Sequence, residues 1–291
     1  MDTAVGLDTE PVTLQLEARL LVEALYEHYH VDFRGYSPAS IVRQLKRAAE
    51  RFGCSSLSLL QHRALHDPAI VPALVGMLTV QVSDLFRDPS FFRSIRENLV
   101  PHLRTYPSIK VWVAGCGEGE ELYSLSILFY EEELASKTIF YATDISTAAL
   151  MKAEAGVYSL DRIPLFTENH RLSKGKGSLS QYYTAAYGGA VLDRKLRKNV
   201  VFSDHSLVSD EVFSEVHLIC CRNVLIYFER ELQDRAIGIF GDALVRGGFL
   251  GLGAHETIRF SRHAGLFREF DAAERIYRRI HADELGVSNG G

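Results

Sequence analysis

The sequence has 291 residues, which is enough for one large domain or two modest ones. Hydrophobic residues make up 47% of it and its formal net charge is -5, a composition typical of globular proteins that argues against wholesale binding to nucleic acid. Its apolar runs are too short to span a bilayer, and its first residues lack the basic stretch of a signal peptide. We therefore expect a cytoplasmic protein that does not insert into membranes.

The four cysteines form no C-x-x-C pair, a pattern that favours reduced thiols over a disulfide framework or a structural zinc site. A mixed site of His205, His217, Cys220 and Cys221 is conceivable. Consecutive residues of a strand point to opposite faces, so Cys220 and Cys221 are poorly placed to share one ion. We predict no metal site.

The first 80 residues predict an all-helical, locally basic region. Apolar residues recur at helical spacing over 11–30. Ser37 followed by proline is typical of a helix start, and the helix that begins there should run over 38–52. Shorter helices are predicted at 56–66 and 68–78.

The exposed face of the 38–52 helix carries a cluster of basic side chains: Arg43, Lys46, Arg47 and Arg51. Two interpretations stay open. The face is either a plain solvated helix surface or a dock for an acidic partner helix.

Residues 78–92 alternate between polar and apolar side chains, which predicts an extended linker before a helix. Asp88 is the predicted N-cap of that helix, with Pro89 in its first position. Arg87 lies between aromatic residues of this linker, and its plainest role is a salt bridge at the domain seam.

The strongest signal in the chain is a strand, a glycine turn and a helix. The apolar run 109–114 predicts a buried parallel strand, and Gly115, Gly117 and Gly119 follow it. A dinucleotide fingerprint would need its third glycine at position 120, where Glu120 opens the helix. A helix that starts with acids suits a ligand with positive charge and no pyrophosphate, such as S-adenosylmethionine (AdoMet). An ordinary glycine turn of another α/β protein is the alternative.

A second apolar strand is predicted at 138–143 and ends at Asp144. An acid at this place meets the ribose hydroxyls in nucleotide-type α/β sites. Capping of the predicted helix at 147–155 is the other possible role of Asp144, and the two roles are compatible.

The rest of the chain alternates strands and helices, which favours a doubly wound α/β sheet. The predicted elements are an irregular stretch at 156–180, a small antiparallel excursion from 181–191 and 196–202, a parallel strand at 215–221, a helix at 229–245 stopped by Gly247 and Gly248, and an antiparallel edge from 249–253 and 272–280.

Several segments, in the same order along the chain, resemble the CheR-type glutamate methyltransferases of chemotaxis receptors. Their residues are 83–92 (Ser-Asp-Leu-Phe-Arg-Asp-Pro-Ser-Phe-Phe), 114–124, 141–145 and 221–228 (Cys-Arg-Asn-Val-Leu-Ile-Tyr-Phe), with 31–43 resembling the amino-terminal helical domain of the family. The resemblance covers about residues 15–280.

The resemblance implies an α/β fold: a Rossmann-like AdoMet-dependent methyltransferase domain with a small inserted antiparallel β-subdomain, preceded by a small all-helical domain. The implied boundaries are 11–80 for the helical domain, 81–106 for a linker and lead-in helix, 107–285 for the methyltransferase domain and about 158–202 for the β-subdomain.

The resemblance also implies a cofactor site. Glu121 and Asp144 would hold the polar ends of the cofactor, beside the backbone of Gly115 and Gly117; Asn223 and Val224 would flank it; Gln81, Ser83 and Arg87 would contact it or close over it; Ser206 and Leu207 would lie beside the adenine.

This chain departs from the family pattern at several of these positions. Gln81, Ser83 and Ser206 stand where many members have Asn, Thr and Asn, and Glu118 stands where Thr is usual. Ser206 lacks the amide, which puts one adenine or ribose contact in doubt.

The implied reaction moves a methyl group from AdoMet to a glutamate carboxylate and leaves S-adenosylhomocysteine (AdoHcy). A glutamate with a pKa of about 4.3 is already ionised at neutral pH, so no general base is required. Arg87 and Tyr227 are the candidates to hold the carboxylate, although Tyr227 could equally be a core aromatic. The implied partners are cytoplasmic helices of methyl-accepting chemotaxis receptors. The alternatives are a non-catalytic AdoMet or AdoHcy sensor and a methyltransferase for another substrate.

Overall fold

A computed structural model describes residues 11–79, 83–186 and 188–280. The amino-terminal part is helical, as predicted, and encloses its own apolar core, in which Leu21, Leu45 and Leu74 are fully buried. Ser37 precedes the second helix as predicted, but its hydroxyl makes no capping hydrogen bond. The helices of this part are α1 (Pro11–Tyr29), α2 (Pro38–Arg51), α3 (Leu57–His66) and α4 (Val71–Leu78), the last preceded by a 3-10 turn at Pro68–Ile70.

The lead-in to the sheet is a helix interrupted by a π-turn. It consists of α5 (Pro89–Ser94), the π-turn Ile95–Leu99 and α6 (Val100–Leu103). Asp88 occupies the predicted N-cap position, with Pro89 as the first residue of the helix, but its side chain does not cap the helix. Asp88 has a φ of 56°, its side chain makes no capping bond, and its carboxylate instead pairs with the buried Arg222 at 2.7 Å.

The carboxyl-terminal part is built on a twisted sheet with helices on both faces, which confirms the α/β fold. In the described residues this sheet has seven strands: β1 (Ile109–Ala114), β2 (Thr138–Asp144), β6 (Val200–Asp204), β7 (Val216–Cys221), β8 (Leu244–Leu252), β9 (Phe267–Asp271) and β10 (Ile276–Arg279). Their order is β6-β2-β1-β7-β8-β10-β9, parallel from β6 to β8 and antiparallel at β10 and β9.

Strand β1 shows why the chain folds in this way. Its side chains alternate between two cores: Val111 and Val113 contribute to one, Trp112 and Ala114 to the other. A strand that is buried on both faces needs helices on both sides. They are α7 (Glu120–Glu131) and α8 (Thr147–Ala155) on one side and α10 (Arg230–Ala243) on the other.

A small antiparallel sheet, ordered β3-β5-β4, is inserted between α8 and β6. It consists of β3 (Val157–Ser159), β4 (Tyr183–Ala186) and β5 (Gly189–Leu192). The prediction of an irregular stretch at 156–180 is wrong, because helix α9 (Ile163–Leu172) lies there. Only Phe166 and His170 of α9 are buried, so its apolar periodicity is weak.

Two further predictions are corrected by the sheet. The strand predicted at 196–202 is β6, which pairs in parallel with β2 instead of joining the antiparallel excursion. The helix predicted at 229–245 ends at Ala243, because the glycines at 247 and 248 lie inside β8 and not in a helix stop. The predicted antiparallel edge from 249–253 and 272–280 is confirmed: β10 pairs antiparallel with residues 249–251 of β8 and with β9, whereas β8 pairs in parallel with β7 on its other side.

No helix in the described residues is long and apolar enough to cross a membrane. Within the same residues, no cluster of His, Cys, Asp and Glu is arranged to hold a metal ion. The domain boundaries given above stay a prediction.

Candidate active site

A cleft of about 940 Å³, including open solvent at its mouth, lies at the carboxyl ends of β1, β2 and β7. The chain builds the sheet outward from β1 in one direction through β2 and β6 and in the other through β7 and β8. Ligands of open α/β sheets bind at such a reversal of strand order.

The predicted site residues come together in this cleft. Gln81 lies outside the described residues; every other predicted residue lines the cleft. They are Ser83, Arg87, Gly115, Gly117, Glu121, Asp144, Ser206, Leu207, Asn223, Val224 and Tyr227. Their individual roles stay predictions.

The glycine turn passes very close to the loop that follows β7. Gly115, Gly117 and Gly119 all have positive φ, at 70°, 56° and 96°. A Cβ at position 115 would lie 2.5 Å from Cγ2 of Val224. Glycine is therefore required at 115 both by backbone conformation and by space.

Asp144 anchors this turn from the end of β2. Its carboxylate accepts hydrogen bonds from the backbone N–H groups of Gly117 at 2.9 Å and Ser146 at 2.8 Å. Burial raises the pKa of Asp144, and these N–H groups oppose the rise. Ser146, and not Asp144, caps α8, by accepting from the N–H of Ala149. Each carboxylate oxygen can accept a second bond, so Asp144 keeps capacity for ligand hydroxyls.

Arg222, which was not singled out from the sequence, joins three segments around the cleft. Its guanidinium pairs with Glu121 at 2.9 Å and with Asp88 at 2.7 Å, donates to the carbonyl of Arg87 at 3.2 Å and lies 4.0 Å from the ring centre of Phe91. Burial raises the pKa of Glu121, and the charge of Arg222 opposes the rise. The only sequence signal for this role was a basic residue directly after an apolar strand.

The other acids at the start of α7 also have cationic partners. Glu120 is buried and pairs with Arg162 at 2.9 Å, and Glu118 pairs with Lys152 at 2.6 Å. Arg162 also donates to the backbone carbonyl of Ser83, so it ties the small-sheet region to the linker beside the cleft.

Glu256 is a second residue that was missed. It lies at the end of β8, only 4% exposed, and its carboxylate accepts from the backbone N–H groups of Asn223 (2.9 Å), Val224 (2.9 Å), Ile226 (3.3 Å) and Gly253 (2.6 Å). Burial raises the pKa of Glu256 against the effect of these bonds. The carboxylate holds the turn at Asn223, whose φ is 60°.

Comparison with known proteins identifies the family. Residues 81–276 match the CheR methyltransferase, SAM binding domain, and residues 16–79 match the CheR methyltransferase, all-alpha domain. The chain belongs to the CheR methyltransferase family.

Named CheR relatives cover much of the chain. The putative methyltransferase Cher3 of Pseudomonas putida is 50% identical over 264 residues, which are 91% of this chain and 97% of the relative. A chemotaxis protein methyltransferase of Listeria monocytogenes is 30% identical over 66% of this chain and 71% of its own length. Chemotaxis protein methyltransferase 1 of Pseudomonas aeruginosa is 29% identical over 74% and 80%.

The cofactor of this CheR chain is AdoMet, and the cleft has the chemistry to hold it. The described lining includes the carboxylates of Glu118, Glu120, Glu121 and Asp144 against the guanidinium groups of Arg87 and Arg222. Three of these acids pair with Lys152, Arg162 and Arg222, so Asp144 is the carboxylate of this lining that makes no ion pair within the described residues and can accept from ligand hydroxyls. Gly115 and Gly117 form part of the cleft lining, and the missing Cβ of Gly115 leaves room for Val224.

Two CheR departures noted in the sequence have structural counterparts. The Ser206 hydroxyl accepts from the N–H of Val208 at 3.2 Å, and the Ser206 N–H donates to Asp210 at 2.8 Å. The side chain of Ser206 therefore closes its own turn while it lines the cleft. Glu118 is engaged by Lys152.

Arg87 and Tyr227 both line the cleft, and the charge of Arg87 affects the pKa of Tyr227. Burial raises the pKa of Tyr227, and the positive charges of Arg87 and Arg43 oppose the rise. Tyr227 therefore keeps its proton and can donate a hydrogen bond. Arg43 belongs to α2, the helix that carries the basic face.

Proposed function

We propose that this chain transfers the methyl group of AdoMet to glutamate side-chain carboxylates of chemotaxis receptors, forming methyl esters. The observation that carries the proposal is that Arg87 and Tyr227, a carboxylate-binding fork and a hydroxyl donor, line the same cleft as the AdoMet-type glycine turn. The printed names of the relatives, chemotaxis protein methyltransferases, support the receptor as the substrate.

The residues would act by orientation more than by proton transfer. When bound, AdoMet supplies an electrophilic methyl group and leaves as AdoHcy. Arg87 would hold the incoming carboxylate through two parallel N–H donors, and Tyr227 would donate to one of its oxygens. The ionised carboxylate attacks directly, so the site must align and desolvate it but need not deprotonate it.

A histidine also lines the cleft, yet its ring is engaged elsewhere. His205 packs edge-on against Trp112 and Phe213, with ring centres 5.3 and 5.4 Å apart, and its Nε2 lies 3.1 Å from the carbonyl of Glu211. This packing favours a structural role for His205 and agrees with a reaction that needs no general base.

We further propose that the helical part, with its predicted boundary at 11–80, presents the receptor helix to the site. Arg43, Arg47 and Arg51 of α2 are exposed and Lys46 is half-buried, so the basic face is available to acidic side chains. The turn that precedes α2 supports a path from this face to the cleft, because the N–H of Ser37 donates to the carbonyl of Tyr227 at 2.8 Å.

The product tests this function. Labelled AdoMet, the protein and membranes that carry receptors should give labelled protein, and brief mild alkali should release the label as volatile methanol. Methyl esters hydrolyse under these conditions, whereas N-methyl amines and aryl methyl ethers do not. Alkali-stable label would exclude glutamate esterification. No label on any protein, with AdoHcy still bound, would favour a sensing role.

A further inference from the structure

The turn at residues 32–37, between α1 and α2, is held by hydrogen bonds between its own residues. The Asp32 carboxylate accepts from the backbone N–H of Arg34 at 3.0 Å, from its Nε at 3.0 Å and from its Nη2 at 2.8 Å. Burial alone would raise the pKa of Asp32, but the hydrogen bonds from Arg34 outweigh it and the pKa is lowered. The ionised Asp32 carboxylate, paired with Arg34, therefore holds the turn in this conformation.

The same turn is attached to the helical core and to one of the two cores that flank the sheet. Phe33 is 1% exposed within the helical core. Tyr36 packs edge-on against Phe33, with ring centres 4.9 Å apart, and against Phe228, with ring centres 4.8 Å apart. Phe228 belongs to the core that includes β7, β8 and α10. Tyr36 is therefore the aromatic link between the helical core and this core.

Backbone hydrogen bonds hold this contact on either side of Tyr36. The N–H of Ser37 donates to the carbonyl of Tyr227 at 2.8 Å, and the N–H of Glu229 donates to the carbonyl of Gly35 at 2.8 Å. A Cβ at position 35 would lie 2.9 Å from Cδ2 of Leu232, so the approach is close. The turn and residues 227–229 form a short two-stranded contact beside the cleft.

The Tyr36 side chain lines the cleft together with Asp144. Within 11–79, 83–186 and 188–280, no group hydrogen-bonds the Tyr36 hydroxyl. Burial and the negative charge of Asp144 raise the pKa of Tyr36, so the phenol stays neutral and remains a hydrogen-bond donor. A neutral donor near the carboxylate expected to bind the ribose suits an oxygen of the adenosyl group.

We propose that Tyr36, a residue of the helical part, is a cofactor contact, and that binding of AdoMet or AdoHcy is thereby coupled to attachment of the 32–37 turn at residues 227–229. The Tyr36 hydroxyl donates a hydrogen bond on the ribose side of the ligand. The phenyl ring stays between Phe33 and Phe228 and keeps the turn in place.

Calorimetry with AdoHcy on the full chain tests this contact. Tyr36→Phe removes the hydroxyl and keeps the ring, and should raise the Kd for AdoHcy roughly three- to tenfold, the value of one hydrogen bond. The matched control is Tyr29→Phe, which removes a hydroxyl of the same helical part that donates to the carbonyl of Ala64 at 2.5 Å. Its Kd should match that of the wild type.

Melting and hydrogen exchange separate a contact from a structural role. The melting temperature of ligand-free Tyr36→Phe should equal that of the wild type, while AdoHcy should slow exchange of the Ser37 and Glu229 amides more in the wild type than in the variant. A Kd changed by less than twofold in Tyr36→Phe would overturn the proposal. Equal weakening in Tyr36→Phe and Tyr29→Phe, or exchange at Ser37 and Glu229 that is insensitive to AdoHcy, would also overturn it.

Discussion

Replacing Gly115 with alanine should destabilise the protein through two separable free-energy costs, backbone strain and a steric clash. The φ of 70° at this position costs an L-residue about 1–2 kcal/mol, because the Cβ meets its own backbone. The new Cβ would also lie 2.5 Å from Cγ2 and 3.3 Å from Cγ1 of Val224, and forced overpacking of this kind typically costs about 1–3 kcal/mol. We expect Gly115→Ala to lower the free energy of unfolding by about 2–5 kcal/mol and to weaken AdoHcy binding.

A double-mutant cycle measured by urea unfolding separates the cost of backbone strain from the cost of the clash with Val224. Val224→Ala removes both γ-carbons and leaves the Cβ of residue 224 at 3.5 Å, an ordinary contact. The double variant should recover about 1–3 kcal/mol relative to additivity. Gly53→Ala is the matched control, because its φ is 64° and nothing lies within 4 Å of the new Cβ. If the Gly115→Ala cost equalled that of Gly53→Ala and showed no coupling to Val224, the reasoning would be refuted.

Three further outcomes are expected. Asp144→Ala should weaken AdoHcy binding by roughly 1–3 kcal/mol in calorimetry, because ligand hydroxyls lose a buried acceptor; unchanged affinity would remove Asp144 from the site. Arg87→Ala should keep the melting temperature nearly intact and slow methyl transfer at least about a hundredfold, since positioning is lost; a clearly lowered melting temperature with unchanged turnover per folded molecule would indicate a purely structural arginine. Reversing the charge of Arg43 and Arg47 should raise the KM for receptor substrate and flatten its salt dependence at constant AdoMet affinity; identical kinetics would make the basic face plain solvated surface.

Local patterns were sufficient to predict the centre of the fold. The apolar run 109–114 and the glycines after it are one continuous signal; β1 has the predicted bounds, and α7 begins at Glu120 as predicted. The acid at 144 is placed by the end of β2 alone. Such features need only neighbours in sequence, so they survive without knowledge of the tertiary structure.

The predictions failed where the deciding partner is distant in sequence. Asp88 has the sequence of an N-cap, but Arg222, 134 residues further on, binds its carboxylate. Glu256 contacts backbone N–H groups about thirty residues earlier. Every residue except proline carries such a group, so the sequence contains no complementary side chain that would reveal the contact. The helix predicted at 229–245 included residues 244 and 245, which belong to β8, the strand that pairs with β7. Tertiary pairing overrides local propensity in each case.

The missed residues share a location, and it explains how the cleft is assembled. Arg222, Glu256 and Tyr36 all act on the loop after β7 or on the segments that meet it, and each brings in a different part of the chain: the linker and α7, the end of β8, and the helical turn. The carboxyl ends of β1, β2 and β7 form the part of the cleft that could be predicted from the sequence. The loop after β7 is held by contacts from these three remote segments. Gly35 is outside the cleft lining, and a Cβ there would lie 2.9 Å from Cδ2 of Leu232, so Gly35→Ala should weaken AdoHcy binding indirectly, by displacing the 32–37 turn from residues 227–229.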